Sequence, residues 1–113
     1  MIGPVRGGAV RLGPVRPDRW LIIGEGVEST LSAMQLWGCL SGWAALSAKG
    51  LKDVVLPSEA RLVRIAVDND ENGVGQAAAR DAAWIWEGEG RSVRVALPPV
   101  PGRDFNDILL GRI

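Results

Sequence analysis

From residue 20 onward, short apolar runs alternate with segments whose apolar positions recur at helical spacing. The run at residues 20–23 is continuous, which is typical of a strand buried on both faces. Over residues 27–37 the apolar side chains recur every three or four positions and Gly38 follows, so this segment is predicted to be a helix. The same criteria predict strands at 42–47, 62–67 and 92–97, a short helix or turn within 50–60, a helix at 74–87, and a last short helix at 104–110.

Strands and helices therefore alternate along the chain, which indicates an α/β fold with a mainly parallel four-stranded sheet and helices on both faces. Residues 1–18 are rich in glycine, proline and arginine. We interpret them as a lead-in segment, the end of a preceding region, with a short strand at 9–12. Residues 19–113 are then expected to form one domain with a single core.

Composition narrows the chemistry that is open to this chain. It contains no histidine and no tyrosine, which excludes histidine-based triads, histidine zinc ligands and a tyrosyl linkage to DNA. The single cysteine, no apolar run long enough to span a membrane, and the lack of a signal-peptide pattern together suggest a cytoplasmic protein. Any reaction must then depend on carboxylates, backbone dipoles, lysine or arginine, and a metal ion.

Acidic residues end two of the predicted strands. Glu25 follows the first strand, and Asp68 and Asp70 follow the third. If these strands are neighbours, three carboxylates converge at one edge of the sheet, where their mutual repulsion favours a bound cation. Hard oxygen ligands without nitrogen or sulfur suit Mg²⁺ or Mn²⁺.

Glycines accompany both acidic segments. Gly24 and Gly26 flank Glu25, and they allow a sharp turn and a close approach by phosphate. Gly73 and Gly75 lie at the start of the next predicted helix, where free N–H groups favour an anion.

Two other motif interpretations fit less well. Residues 24–29 imitate a dinucleotide-binding loop, but the third glycine is missing and a glutamate in the loop would repel a pyrophosphate. Residues 68–73 match the first half of a calcium loop, but Ala79 occupies the twelfth position, where a bidentate glutamate belongs. A third interpretation stays open, in which the acids only form turns and cap helices. We adopt it for Asn69, Glu71 and Asn72.

The combined pattern resembles the Toprim domain, which bacterial-type DNA primases, topoisomerases, old-type nucleases and recombination mediator proteins share. The resemblance rests on a strand that ends in Glu25-Gly26, a helix, and a later strand that ends in Asp68-x-Asp70. Residues 7–12, 22–33 and 102–107 are similar to the variant found in phage and plasmid primases and primase-helicases.

The resemblance implies a compact, Rossmann-like three-layer fold with strand order 2-1-3-4, and a role for each matching residue. Glu25 would be the general acid/base, and Asp68 and Asp70 would bind Mg²⁺ or Mn²⁺. Asp104 and Asp107 are candidate ligands for a second metal, with capping of the last helix as the alternative. The candidate phosphate-binding residues are Gly26, Gly73 and Lys49, and for Lys49 an exposed loop position is the alternative.

The expected function is metal-dependent nucleotidyl transfer by a primase-like protein, that is, RNA primer synthesis in DNA replication. Its partners would be DNA or RNA and nucleoside triphosphates. The chain has neither a Cys/His zinc-ribbon set nor a nucleotide-binding P-loop. We therefore expect it to be part of a larger protein, or to act with zinc-binding or helicase domains or subunits. The alternatives are a non-catalytic scaffold in recombination or repair and a metal-dependent nuclease.

Overall fold

The computed structural model describes residues 9–46, 48–67 and 73–96, with residues 48 and 49 described by their backbone alone. The predicted helix at 104–110 lies outside these residues. No helix in the described part of the chain is long and apolar enough to cross a membrane. The helices are α1 (Val27–Leu36), α2 (Ala48–Leu51) and α3 (Val74–Gly88), and the strands are β1 (Val10–Arg11), β2 (Trp20–Gly24), β3 (Gly42–Ala44), β4 (Leu62–Ala66) and β5 (Ser92–Ala96).

The described strands form one mixed sheet in the order β1-β3-β2-β4-β5. The pairs β3–β2, β2–β4 and β4–β5 are parallel, and β1 pairs with β3 in the antiparallel direction. This differs in detail from the predicted four-stranded sheet, because the short strand predicted at 9–12 joins the β3 edge as a fifth, antiparallel strand. The four parallel strands keep the neighbours that the order 2-1-3-4 implies.

The two faces of the sheet are covered by different helices. Alternate residues of β2 and β4 point to α2 and α3, and the core on that side includes Leu21, Ile23, Ile65 and Trp86. The opposite face carries Ile22, which lies in a smaller cluster with Ala33 and Met34 of α1. Among the described helices, two pack on one face and one packs on the other.

The segment between β3 and β4 differs from its prediction. The strand predicted at 42–47 ends at Ala44, and Leu46 has a positive φ of 73°, which is incompatible with an extended strand. The short helix occupies Ala48–Leu51, so most of residues 50–60 form an irregular loop. Arg91, the residue before β5, holds this loop, since its guanidinium donates to the backbone oxygens of Leu56, Pro57 and Ala60.

Candidate functional site

The carboxyl ends of β2 and β4 lie side by side at the centre of the sheet. The parallel pairing runs from Trp20 opposite Leu62 to Gly24 opposite Ala66. Glu25 is the next residue after this pairing on one strand, and Val67 is the next residue on the other. The Val67 N–H donates to the Ala96 oxygen of β5 at 2.9 Å. The hydrogen bonding between β4 and β5 therefore extends to Val67, the last described residue before the acidic segment.

The turn that carries Glu25 is held by Thr30. The backbone N–H and the side-chain hydroxyl of Thr30 both donate to the Gly26 oxygen, at 3.0 and 2.6 Å. Thr30 is completely buried, so water does not compete for these hydrogen bonds. On the strand side, the Ala45 N–H donates to the Gly24 oxygen at 2.8 Å. The half-buried Glu25 is thus anchored through the residues before and after it.

Gly24 is required here by packing. A Cβ atom at this position would clash with the Thr30 hydroxyl, and it would lie 3.5 Å from the Ala66 oxygen. A larger residue would therefore displace the side chain that fixes the turn, which explains this glycine without any bound phosphate. At Gly26 an added Cβ would meet nothing within 4 Å, so the described residues give no packing reason for glycine there.

Gly73 begins the helix on the far side of the acidic segment. It is the N-cap of α3 and has a left-handed backbone with φ 73°, a conformation that glycine adopts without strain. Gly73 has no side chain with which to cap α3, and the first turn of the helix carries no acidic residue. The backbone conformation explains this glycine, and the helix dipole at this end is compatible with the predicted anion contact.

The described residues contain only part of the predicted site. Glu25, Gly26 and Gly73 are placed as above, whereas Asp68, Asp70, Asp104 and Asp107 lie outside the described residues. Lys49 belongs to α2, and its side chain is not described. Within residues 9–46, 48–67 and 73–96, no group of three or more His, Cys, Asp or Glu residues could hold a metal ion. The metal ligands therefore stay predictions. Of the predicted acidic site residues, the described part of the chain includes Glu25, whose carboxylate has the hard oxygen atoms that Mg²⁺ prefers.

Thr30 is a positioning residue that the sequence pattern did not predict. Its position in α1 is visible in the sequence, but a threonine early in a helix is common. The only local signal is a glycine six residues earlier, at the end of the preceding strand. The contact between the two depends on how closely α1 packs against β2, which a spacing pattern does not contain.

Comparison with known proteins gives one match. A family model described as the Toprim domain matches residues 20–112. This range begins at the first residue of β2 and includes every described element except β1, together with Glu25 and the four predicted aspartates. No curated protein and no solved structure matches the chain.

The role of Thr30 can be tested by Thr30→Val, which keeps the side-chain shape but removes the hydroxyl donor. We expect the free energy of unfolding to fall by about 1 kcal/mol, because the buried Gly26 oxygen loses one of two hydrogen bonds. Amide hydrogen exchange at residue 30 should also accelerate, since the first turn of α1 is loosened. Thr30→Ser keeps the donor and should retain slow exchange. Equal exchange in wild type and Thr30→Val would contradict the proposed role.

Proposed function

This chain belongs to the Toprim domain family, and on that premise we propose that it is the catalytic module of a DNA-primase-like protein, which transfers nucleotidyl groups to make RNA primers. Membership of the family implies a metal-dependent function related to nucleic acid, since Toprim domains bind divalent metal ions. The likeness of residues 22–33 and 102–107 to phage and plasmid primases and primase-helicases supports the more specific assignment. We also propose the domain division into residues 1–18 and 19–113.

The observation that carries the proposal is the parallel register of β2 and β4, in which Gly24 pairs with Ala66. Glu25 is one residue beyond this pair, and Asp68 is two residues beyond it in the sequence. Consecutive Cα atoms are about 3.8 Å apart, so we expect the first acid after each strand to lie close to the same point on the sheet edge. Function in open α/β sheets gathers at such carboxyl ends.

Each candidate residue then has a chemical role. Glu25 acts as the general base that accepts the proton of the attacking hydroxyl. That hydroxyl oxygen forms the new bond to the α-phosphorus, and the bond to pyrophosphate breaks. Asp68 and Asp70 would hold Mg²⁺ or Mn²⁺, with Asp104 and Asp107 as ligands for a second ion. The bound metal supplies neutralisation of the phosphate charge.

Backbone groups near the two glycines would complete the substrate site. At Gly26 the open space leaves room for a phosphate group beside the backbone. At Gly73 the N-terminus of α3 directs the positive end of the helix dipole toward the same place. Lys49 would add a positive charge to the same phosphate site. We propose that zinc-binding and helicase domains or subunits supply template recognition and movement along DNA.

The metal site can be tested by titrating the chain with Mn²⁺ and Mg²⁺ in a calorimeter. Asp68→Ala and Asp70→Ala should each weaken metal binding by about tenfold or more, because each removes an ionised oxygen ligand. Asp81→Asn is the matched control, since Asp81 is exposed on α3 and the variant also loses one negative charge. Equal affinity in the aspartate variants and wild type would refute the proposed ligands.

The reaction can be tested by supplying the chain with single-stranded template, nucleoside triphosphates and Mg²⁺, and measuring dinucleotide formation. Glu25→Gln should lower the rate by about 10²-fold or more, because it removes the general base. Its Mn²⁺ affinity should change less than that of the aspartate variants. Cleavage of labelled DNA without nucleotides would instead indicate a nuclease. Metal binding with neither reaction, in the presence of the proposed zinc-binding and helicase domains or subunits, would indicate a scaffold.

A further inference from the structure

Two arginines and two tryptophans lie together on the α1 side of the sheet, where arginines from the middle of β4 and β5 reach the tryptophan that begins β2. Arg64 of β4 and Arg94 of β5 are direct partners in the parallel pairing of these strands. Both guanidinium groups lie over the ring of Trp20, at 5.4 and 5.3 Å from its centre. Arg64 also lies over Trp37, at 4.8 Å. We call these four residues the arginine–tryptophan surface.

Like charges placed directly opposite each other on neighbouring strands destabilise a sheet. The indole rings offset part of this repulsion, because their electron-rich faces attract guanidinium groups. A carboxylate would offset more, but the ion pair found among the described residues joins Arg91 to Glu89 and involves neither Arg64 nor Arg94. Within that part of the chain, the surface thus carries two positive charges that no acidic side chain neutralises.

The surface is reachable from solvent. Arg94 is exposed, and Arg64, Trp20 and Trp37 are half-buried. Each guanidinium group has five N–H donors in a planar arrangement that matches the oxygen atoms of a phosphate group. Two such groups on adjacent strands fit a ligand with more than one phosphate, and the indole rings that they lie against hold them on this face.

We propose that the arginine–tryptophan surface binds the phosphodiester backbone of a single nucleic-acid strand, as a second contact outside the candidate metal site. The choice of nucleic acid as the polyanion rests on the proposed function. Arg64 lies opposite Ile22, and Glu25 is three residues beyond Ile22 and five beyond Trp20, which corresponds to roughly 10 to 16 Å at the rise of a β-strand. A strand bound at this surface is therefore held away from the reacting groups, and it can be retained while the metal site exchanges substrates.

Fluorescence anisotropy of a short labelled oligonucleotide, measured in EDTA between about 50 and 200 mM salt, tests this contact without the metal site. For single strands, each phosphate contact contributes about 0.7 to the slope of log affinity against log salt. Arg94→Gln should therefore reduce the slope by about 0.7, and the double variant Arg64→Gln/Arg94→Gln by about 1.4. Arg80→Gln is the matched control, because Arg80 is also exposed but lies on α3, which packs on the opposite face.

An unchanged slope in the double variant, or an equal loss in Arg80→Gln, would overturn the proposal. Binding of inorganic phosphate to Arg64 and Arg94 with no oligonucleotide binding would overturn it as well. Glu25→Gln should bind the oligonucleotide as wild type does in EDTA, so a failure of the metal site is distinguishable from a failure of this surface.

A second measurement uses the wild-type chain, so its result does not depend on whether a variant at this surface folds. In wild type, the indole N–H signals of Trp20 and Trp37 should shift when oligonucleotide is added, as followed by nuclear magnetic resonance. Trp84 is 79% exposed on α3, and Trp86 is buried between α3 and the sheet. The chemical shifts of both indole N–H signals should therefore not change. A shift of the Trp84 signal without one at Trp20 would place the nucleic acid on the opposite face and contradict the proposal.

Discussion

Five consecutive parallel pairs join β2 to β4 at the centre of the sheet, from Trp20 opposite Leu62 to Gly24 opposite Ala66. Side chains alternate between the two faces of a strand, so a slip of one residue would exchange the buried and exposed faces. Burial on both sides prevents such a slip, since Ile22 and Ile23 are both completely buried in different clusters. This fixed register is what sets the position of Glu25 against the end of β4.

The two ends of these strands differ in charge. At the carboxyl ends, Glu25 is held by a turn that Thr30 fixes, and the acidic segment of the sequence follows Val67. Near the amino end of β2, the guanidinium groups of Arg64 and Arg94 lie over the Trp20 ring. A polyanionic ligand that reached both ends would be attracted at one and would need a metal ion at the other, which agrees with metal-dependent chemistry on nucleic acid.

A continuous apolar run predicted β2 well, because a strand buried on both faces needs apolar residues at every position. The similar run that predicted β4 is interrupted by Arg64, which is half-buried on the α1 side. These runs predicted where the two strands end, near Glu25 and Val67. The strand order that the Toprim resemblance implied then predicted that the two strand ends are neighbours. Three features could not be predicted in this way, since they depend on contacts between distant segments. The contact between Thr30 and Gly24 depends on how closely α1 packs against β2. The pairing of Arg64 with Arg94 depends on the register of β5. The loop at 52–60 is held by Arg91, which lies more than 30 residues further along the chain.

The central claim is that a divalent metal binds where β2 and β4 end. Paramagnetic broadening of backbone amide signals by substoichiometric Mn²⁺ measures this position directly in the wild-type chain. The amide signals of Gly26, Val67 and Gly73 should broaden first, while those of Trp20, Leu62 and Ser92 at the amino ends of the strands should broaden later. Earliest broadening near the exposed acids Glu87 and Glu89, or uniform broadening across the chain, would contradict a metal site at the carboxyl ends of these strands.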